Sequence, residues 1–124
     1  MPTAKWSIAT GNTSEPMIHQ LRCYEIFEHN KEAFHDRFRH HAVRIMESHG
    51  FHILAMWEAK TRDRTEFVYL LEWPDETTMT SAWEGFMADQ EWKDIKRVTG
   101  AEHGDFVGDV EQMVLIPTDY SPRI

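Results

Sequence analysis

Apolar residues along this chain follow two different periods, which predict alternating strands and helices. Runs rich in branched and aromatic side chains predict four strands, at residues 17–27, 51–59, 65–73 and 110–116. Between the first two strands, apolar positions at helical spacing predict a helix from Lys31 to Ser48 or His49. Asn30 is suited to the N-cap of this helix, and Gly50 is suited to the left-handed position that ends it.

A second amphipathic helix is predicted after the third strand, with Asp75 as its cap. Its apolar positions fit the i, i+3, i+4, i+7, i+8 template throughout: Met79, Ala82, Trp83, Phe86 and Met87. A short turn at residues 89–95 and a loop containing Gly100, Gly104 and Gly108 lead to the last strand. The order β-α-β-β-α-β predicts a ferredoxin-like α+β fold, with a four-stranded antiparallel sheet and both helices on one face.

The third strand carries apolar side chains on both of its faces. One face holds Phe67, Tyr69, Leu71 and Trp73, and the other holds Val68 and Leu70. An antiparallel sheet with one solvated face normally alternates apolar and polar residues. We therefore expect the second sheet face to meet another subunit, in a homodimer formed sheet against sheet.

Composition indicates the compartment of the protein and excludes some classes of binding partner. The chain has 13 basic and 21 acidic residues, and its net charge of −8 argues against nucleic acid or an anionic membrane as a partner. No stretch approaches the roughly 20 apolar residues of a membrane span. Residues 1–16 read as a polar leader without a signal-peptide core, followed by one domain at residues 17–124. Cys23 is the single cysteine, which predicts a buried inert thiol in a cytoplasmic protein.

The first predicted helix places an imidazole on its apolar face. At about 100° per residue, one sector of the helix contains Phe34, Phe38, His41, Ala42 and Ile45. A buried imidazole needs a hydrogen-bonding partner. His41 is therefore either a structural residue, bonded to Tyr24 or to a backbone carbonyl, or a group that takes part in a reaction.

Several runs of the sequence resemble the NIPSNAP family, one branch of the dimeric α+β barrel proteins. The matching runs are residues 18–24, 38–41, 47–50, 83–92 and 117–122. The run at 83–92 resembles a feature shared with related barrel families such as the antibiotic-biosynthesis monooxygenases. The strand containing Arg22 and Tyr24 and the tail at 117–122 are closer to NIPSNAP proteins themselves. The resemblance implies a dimeric α+β barrel, in which two subunits pair their sheets and carry the helices outside.

The resemblance also implies a ligand cavity between the sheet and the helices of each subunit. Arg22 and Tyr24 are two residues apart and share one face of the first strand, with Gln20 beside them, where it would contact the substrate. With the cavity so placed, His41 would act as general acid or base, and Tyr24 or Arg22 would stabilise developing oxyanion charge. Aromatic side chains would line the cavity and favour a planar or aromatic substrate: Phe38, Trp57, Tyr69, Trp83 and Phe86.

Each of these polar residues also has a structural interpretation. His41 would be a core histidine, Arg22 would pair with an acid, and His49 would be a cationic cap at the end of the first helix. The chain has eight histidines, but none are paired at chelating helical spacing, and adjacent His40 and His41 point about 100° apart. The sequence therefore predicts no metal site and no cofactor.

The superfamily that the chain resembles contains several unrelated chemistries on one scaffold. They include cofactor-free oxygenation of phenolic rings, lactone isomerisation, polyketide cyclisation and, with haem, chlorite decomposition. Fold-level likeness does not choose among them. We predict a cofactor-independent enzyme that isomerises, cyclises or oxygenates a small oxygenated or aromatic metabolite. The alternative is a non-catalytic module that binds a small molecule or a protein.

Overall fold

Four antiparallel strands and a layer of helices make up the part of the chain described by this computed structural model, residues 17–124. The leader predicted at residues 1–16 lies outside the described residues. The elements are β1 (Ile18–Ile26), α1 (Lys31–Arg37), α2 (Val43–Ser48), β2 (His52–Lys60), β3 (Thr65–Trp73), α3 (Glu76–Ala88), α4 (Gln90–His103) and β4 (Val107–Leu115). The strand order across the sheet is β2-β3-β1-β4, with every neighbouring pair antiparallel. This arrangement confirms the predicted ferredoxin-like α+β fold.

Alternation along β3 explains where the core lies. Its residues from Thr65 to Trp73 are alternately buried and half-buried, and the buried ones face the helices. The largest fully buried side chains are Trp73, Tyr69, Phe34, Phe86, Met46 and Leu71. Phe51 packs against Trp73 at 4.9 Å and against Trp83 at 4.8 Å between ring centroids. The core is therefore an aromatic layer between the sheet and the helices.

The first predicted helix contains a π-helical turn. Residues Phe38–Ala42 join α1 to α2, and the Val43 N–H bonds the Phe38 carbonyl five residues earlier. A π-helical turn contains more residues than an α-helical turn and so rotates less per residue. A helical wheel drawn at about 100° per residue therefore assigns its residues to the wrong face. The buried positions are Phe34, Phe38, Ala42, Ile45 and Met46. His41 is not among them and is only half-buried.

Capping residues fix the helix ends, mostly as predicted. The Thr78 N–H donates to Asp75 Oδ1 at 2.7 Å, which confirms Asp75 as the cap of α3. Gly50 has a φ of 91° just after α2, as predicted for the residue that ends this helix. Asn30 occupies the N-cap position of α1, but its side chain does not cap the helix. Its Nδ2 donates to the carbonyls of His103 and Asp105, at 3.0 and 2.9 Å, and so ties α1 to the end of α4.

The region after α3 is more helical than predicted. The expected short turn at residues 89–95 is the beginning of a 14-residue helix, α4, which continues through Gly100. Beyond Ile95 the half-buried positions of α4 are the polar Lys96 and Thr99, and a glycine within a helix resembles a loop signal, so sequence patterning ends this helix too early. The final strand also begins earlier than predicted, at Val107.

The sheet face turned away from the helices, which we call the outer face, carries several apolar side chains. Leu21, Val68 and Leu70 are half-buried there, Trp57 is 49% exposed and Met113 is 54% exposed. Cys23 lies on the same face and is half-buried rather than buried. Burial still raises the pKa of its thiol. None of the described helices has the length and apolarity needed to cross a membrane.

Candidate functional site

Three polar side chains meet on the helix-facing side of the sheet. Arg22 and Tyr24 project from β1, and Tyr69 lies directly opposite Arg22 on β3. Arg22 Nη2 donates to Tyr24 Oη at 3.3 Å, and the Tyr24 and Tyr69 hydroxyl oxygens are 2.5 Å apart. The structure therefore brings together Arg22 and Tyr24, as predicted from their spacing, and adds the hydroxyl of Tyr69. We call these three residues the Arg22 cluster.

The Arg22 guanidinium is held against aromatic rings rather than against an acid. Its Cζ lies 4.2 Å from the centroid of the Trp83 ring and 5.4 Å from that of Tyr24. Within residues 17–124, its Nε is buried without a hydrogen-bond partner, and no carboxylate forms an ion pair with it. Burial acts to lower the pKa of Arg22, but the nearby Tyr24 and Tyr69 oxygens more than offset it, so the pKa is raised. Arg22 is thus a permanent cation without a counterion in the described part of the chain.

Tyr69 is the most deeply buried member of the cluster. It has no exposed surface, and its ring packs against Phe38 at 5.3 Å and Phe67 at 5.5 Å between centroids. Burial raises the pKa of the Tyr69 phenol well above its usual range, with Tyr24 acting in the same direction and Arg22 opposing. The phenol therefore stays protonated at neutral pH and orients the Tyr24 oxygen beside it.

Gln20 connects the sheet to two tryptophans. Its Oε1 accepts hydrogen bonds from Trp73 Nε1 at 3.1 Å and Trp83 Nε1 at 2.8 Å, and its Nε2 donates to Gln112 Oε1 at 3.0 Å. Both polar atoms of this 3% exposed side chain are therefore used inside the fold. Gln20 was predicted to contact the substrate, and here it fixes the indole of Trp83 over Arg22. Trp73 and Gln112 were missed because a strand pattern does not reveal side-chain partners across a sheet.

His41 contacts Arg44 and is not buried, so its predicted place in the buried sector of the first helix is wrong. Its Nδ1 is 3.2 Å from Arg44 Nη2, and Arg44 Nη1 donates to Glu91 Oε1 at 3.0 Å on the exposed side of the helices. The π-helical turn is the physical reason, because it keeps Ala42 in the core and rotates His41 out of it. The imidazole of His41 therefore belongs to a surface network.

The predicted aromatic residues divide between the two faces of the sheet. Phe38, Tyr69 and Phe86 are buried in the core, and half-buried Trp83 covers Arg22. Trp57 does not join them, because it pairs with Val68 and lies on the outer face. A bulge between Ile53 and Ala55 shifts the register of β2 by one residue, and such a shift moves every later side chain to the opposite face.

A second half-buried cation lies nearby on α1. Arg37 Cζ is 4.5 Å from the Phe106 centroid and 5.2 Å from that of Trp92, and Arg37 Nη1 donates to Thr99 Oγ1 at 3.1 Å. Burial lowers the pKa of Arg37 to about 10, with the Tyr24 oxygen acting in the opposite direction. Arg37 was not among the residues predicted from the sequence. Its place next to buried Phe38, one turn after buried Phe34, is the feature of the sequence that could have indicated its burial. Among residues 17–124, no three His, Cys, Asp or Glu side chains are arranged to hold a metal ion.

Comparison with known proteins shows which family the chain belongs to. The NIPSNAP family model matches residues 19–122. The chain belongs to the NIPSNAP family. An uncharacterised NIPSNAP-like domain protein from Burkholderia xenovorans has a similar structure, with a TM-score of 0.73 and 16% identity over 89% of this chain and 92% of that one. The search of curated proteins found no match.

Two oxygenases share the fold of this NIPSNAP chain at lower similarity. A Streptomyces coelicolor monooxygenase in complex with nanaomycin D has a TM-score of 0.55 and 10% identity, covering 89% of this chain and 95% of that one. SnoaB, a cofactor-independent oxygenase from Streptomyces nogalater, has a TM-score of 0.53 and 12% identity, covering 86% and 98%. At these identities the likeness concerns the fold alone.

Proposed function

We propose that this NIPSNAP protein is a cofactor-independent enzyme of isomerase, cyclase or oxygenase type that acts on a small oxygenated or aromatic metabolite. The observation that carries the proposal is the Arg22 cluster, in which a largely buried cation without a carboxylate partner in the described chain touches the hydroxyl of Tyr24. Buried charges are normally paired, and unpaired ones concentrate at functional sites. SnoaB, which has the same fold, is a cofactor-independent oxygenase, and this agrees with the proposal.

The roles of the three side chains follow from their chemistry. Arg22 and the Tyr24 phenol stabilise negative charge that develops on a substrate oxygen, and Tyr69 holds the Tyr24 hydroxyl in place. Isomerisation, cyclisation and phenol oxygenation all pass through such an enolate or phenolate, and in this scheme the proton that its formation releases goes to solvent water. His41 has no part in this scheme, because its ring is bonded to Arg44 at the surface. The described cluster therefore supplies hydrogen-bond donors and a cation.

Oxygen uptake tests the oxygenase form of the proposal. The probe is 1,8-dihydroxyanthrone without added flavin or metal, which consumes one O₂ and gives the anthraquinone and one water. A parallel assay follows deuterium exchange at the acidic C–H of phenylpyruvate by NMR, which reports enolisation. We expect activity in at least one assay, with Tyr24→Phe lowering the rate by about 10²-fold, a typical loss for an oxyanion donor. Tyr120→Phe is the matched control, since Tyr120 is 84% exposed.

Two results would count against catalysis by the Arg22 cluster. Equal rates for Tyr24→Phe and the wild type would remove the Arg22 cluster from the reaction. Inactivity of the wild type in both assays, together with ligand binding at the cluster, would favour the alternative of a non-catalytic module that binds a small molecule. The observation in favour of that alternative is that the imidazole predicted as a base lies outside the cluster.

We also propose that the chain forms a homodimer through the outer face of its sheet. Half-exposed Trp57 and Met113 there, beside Leu21, Val68 and Leu70, leave apolar area that a second copy would bury. Sedimentation at micromolar concentration tests the proposal, and a monomer would contradict it. Trp57→Glu should dissociate the dimer, whereas Met87→Glu, at a 48% exposed position on α3, should not.

A cytoplasmic location is the last part of the proposal. The single, half-buried Cys23 has no partner for a disulfide within the chain, which suits a reducing compartment. Fractionation of cells that express the full chain tests this, and recovery outside the cytoplasm would contradict it.

A further inference from the structure

The helix-facing side of β4 forms an open surface beside Arg22. In the β1–β4 register, Tyr24 is opposite Val110, Arg22 is opposite Gln112 and Gln20 is opposite Val114. Val110 is 49% exposed, Gln112 is exposed and Val114 is half-buried. We call Val110, Gln112 and Val114 the β4 shelf.

The helices leave the β4 shelf open because they pack over β1 and β3. The buried members of the sheet lie on β3 and on the adjoining face of β1, whereas the two edge strands, β2 and β4, have no buried residue. Trp83 of α3 is the aromatic side chain at the boundary, where its ring covers Arg22. The shelf therefore presents two valine side chains next to a cation and an indole.

Arg22 has hydrogen-bond donors that the described residues do not use. A guanidinium carries five N–H donors in a planar fork, and in the described residues Arg22 gives one to the Tyr24 hydroxyl. A carboxylate takes two parallel N–H bonds from such a fork, and it also supplies the missing negative charge. The two valines that flank Gln112 on the shelf, an aromatic edge and an unpaired guanidinium together match a flat molecule with one acidic end.

We propose that the ligand of this site is an aromatic carboxylate, with its carboxylate on Arg22 and its ring over the β4 shelf against Trp83. This inference rests on the proposed function and names the class of its substrate. This narrows the role of Arg22 given above to binding the acid group, and leaves the Tyr24 hydroxyl, which Tyr69 holds in place, to face the oxygen at which charge develops. A neutral analogue of the same shape lacks the charge that Arg22 needs.

Binding of a matched pair tests the inference. The probes are 2-naphthoate and 2-naphthamide, which have the same ring system and nearly the same size, titrated into the full chain at pH 7.5 by NMR. We expect the acid to bind at least about tenfold more tightly, the lower end for hydrogen bonds to a charged group. Arg22→Gln should remove this preference. Arg44→Gln is the charge-matched control, because Arg44 pairs with Glu91 away from the cluster.

A second pair of variants tests the shelf without touching Arg22. Val110→Asp places a negative charge on the shelf and should weaken 2-naphthoate binding about tenfold, by repulsion across a short distance. Val98→Asp is its control, since Val98 is equally exposed on α4. The Val110 result remains informative even where Arg22→Gln lowers the yield of folded protein.

The outcomes separate this inference from the proposed function. Equal binding of acid and amide, no binding of either, or a preference that survives Arg22→Gln would overturn the inference, while the oxygen-uptake and exchange assays would still decide catalysis. Arg22-dependent binding of 2-naphthoate in a protein inactive in both assays would support the inference and contradict the enzyme.

Discussion

His49 Nε2 lies 2.9 Å from Asp89 Oδ2. The same carboxylate accepts the Trp92 N–H at Oδ1, also at 2.9 Å, and so caps α4. The pair ties the end of α2 to the start of α4 and joins two runs of the sequence that resemble the family, residues 47–50 and 83–92. His49 was interpreted as a cationic helix cap, and the structure gives it a specific acidic partner.

Replacing Asp89 with asparagine should isolate the His49 contact. Asparagine is as good an N-cap as aspartate, so the Trp92 bond survives while the carboxylate is lost. Hydrogen bonding from His49, followed by the Trp92 N–H, lowers the pKa of Asp89 in the folded protein. A lowered carboxyl pKa contributes stability above the unfolded pKa, which is lost as the pH falls through the folded pKa. Urea unfolding should therefore show Asp89→Asn to be less stable than wild type at pH 7, with the difference shrinking below about pH 4. A difference independent of pH would contradict this account.

Two glycines in helices should respond in opposite ways to alanine. A Cβ at Gly85 would lie 2.9 Å from His49 Nδ1 and would push the imidazole away from Asp89, whereas a Cβ at Gly100 meets nothing within 4 Å. Gly100→Ala should stabilise the protein by about 0.5–1 kcal/mol, the usual gain in helix propensity. Gly85→Ala should gain less than this or lose stability, as measured by chemical denaturation. An equal gain at both positions would show that His49 adapts freely.

Gln20 should be important for stability because two indoles depend on it. Gln20→Leu leaves the buried Trp73 and Trp83 N–H groups without their acceptor and should lower the free energy of unfolding by roughly 2–4 kcal/mol. In a Trp83→Phe background the cost of Gln20→Leu should fall, since one donor has already gone. Gln112→Leu is the control, because Gln112 is exposed and its loss should cost less than about 1 kcal/mol. Equal losses for the two glutamines would contradict the central role of Gln20.

Arg37 should be replaceable without loss of stability. Burial lowers its pKa to about 10, so the charged form costs the folded protein stability at neutral pH, and this cost begins to fall only as the pH rises above that value toward the ordinary pKa of arginine. Arg37→Met keeps an unbranched side chain against Trp92 and Phe106. After allowance for partial exposure, it should leave stability unchanged or raise it by up to about 1 kcal/mol. Arg39→Met is the control for the change of charge, at an exposed position with only a solvent-exposed ion pair to Asp36. A loss beyond about 1 kcal/mol in the thermal melt of Arg37→Met would mean that its cation–π contacts stabilise the fold.

Periodicity predicted most of the fold because amphipathic elements carry their own signal. The alternation of β3 and the stripe from Met79 to Phe86 each reflect packing against one layer, so strand order and helix position followed from them. Two local irregularities have no such signal. The bulge before Ala55 reversed the face of Trp57, and the π-helical turn moved His41 out of the core. Each irregularity shifts the pattern of inward and outward side chains by one residue. Contacts between neighbouring elements determine such a shift, and the composition of the chain does not reveal it.

The candidate site was predicted in part for the same reason. Arg22 and Tyr24 share a face because strand geometry alone dictates it, whereas the contact with Tyr69 depends on the register between β1 and β3. Only the folded structure shows that no carboxylate lies beside Arg22 in the described chain. In a sequence with 21 acidic residues, an ion pair was the simpler expectation.

The three tyrosines of this chain, Tyr24, Tyr69 and Tyr120, allow a direct test that the Arg22 cluster is the ligand site. Two belong to the Arg22 cluster, and Tyr120 is 84% exposed in the tail. Protein labelled with ¹³C-tyrosine would be titrated with 2-naphthoate and with 1,8-dihydroxyanthraquinone, and Tyr→Phe variants would assign the signals. We expect the Tyr24 and Tyr69 ring signals to shift in a saturable manner while the Tyr120 signal stays in place. A shift of Tyr120 alone, or no shift of Tyr24 and Tyr69 at saturating ligand, would contradict the assignment of the Arg22 cluster as the ligand site.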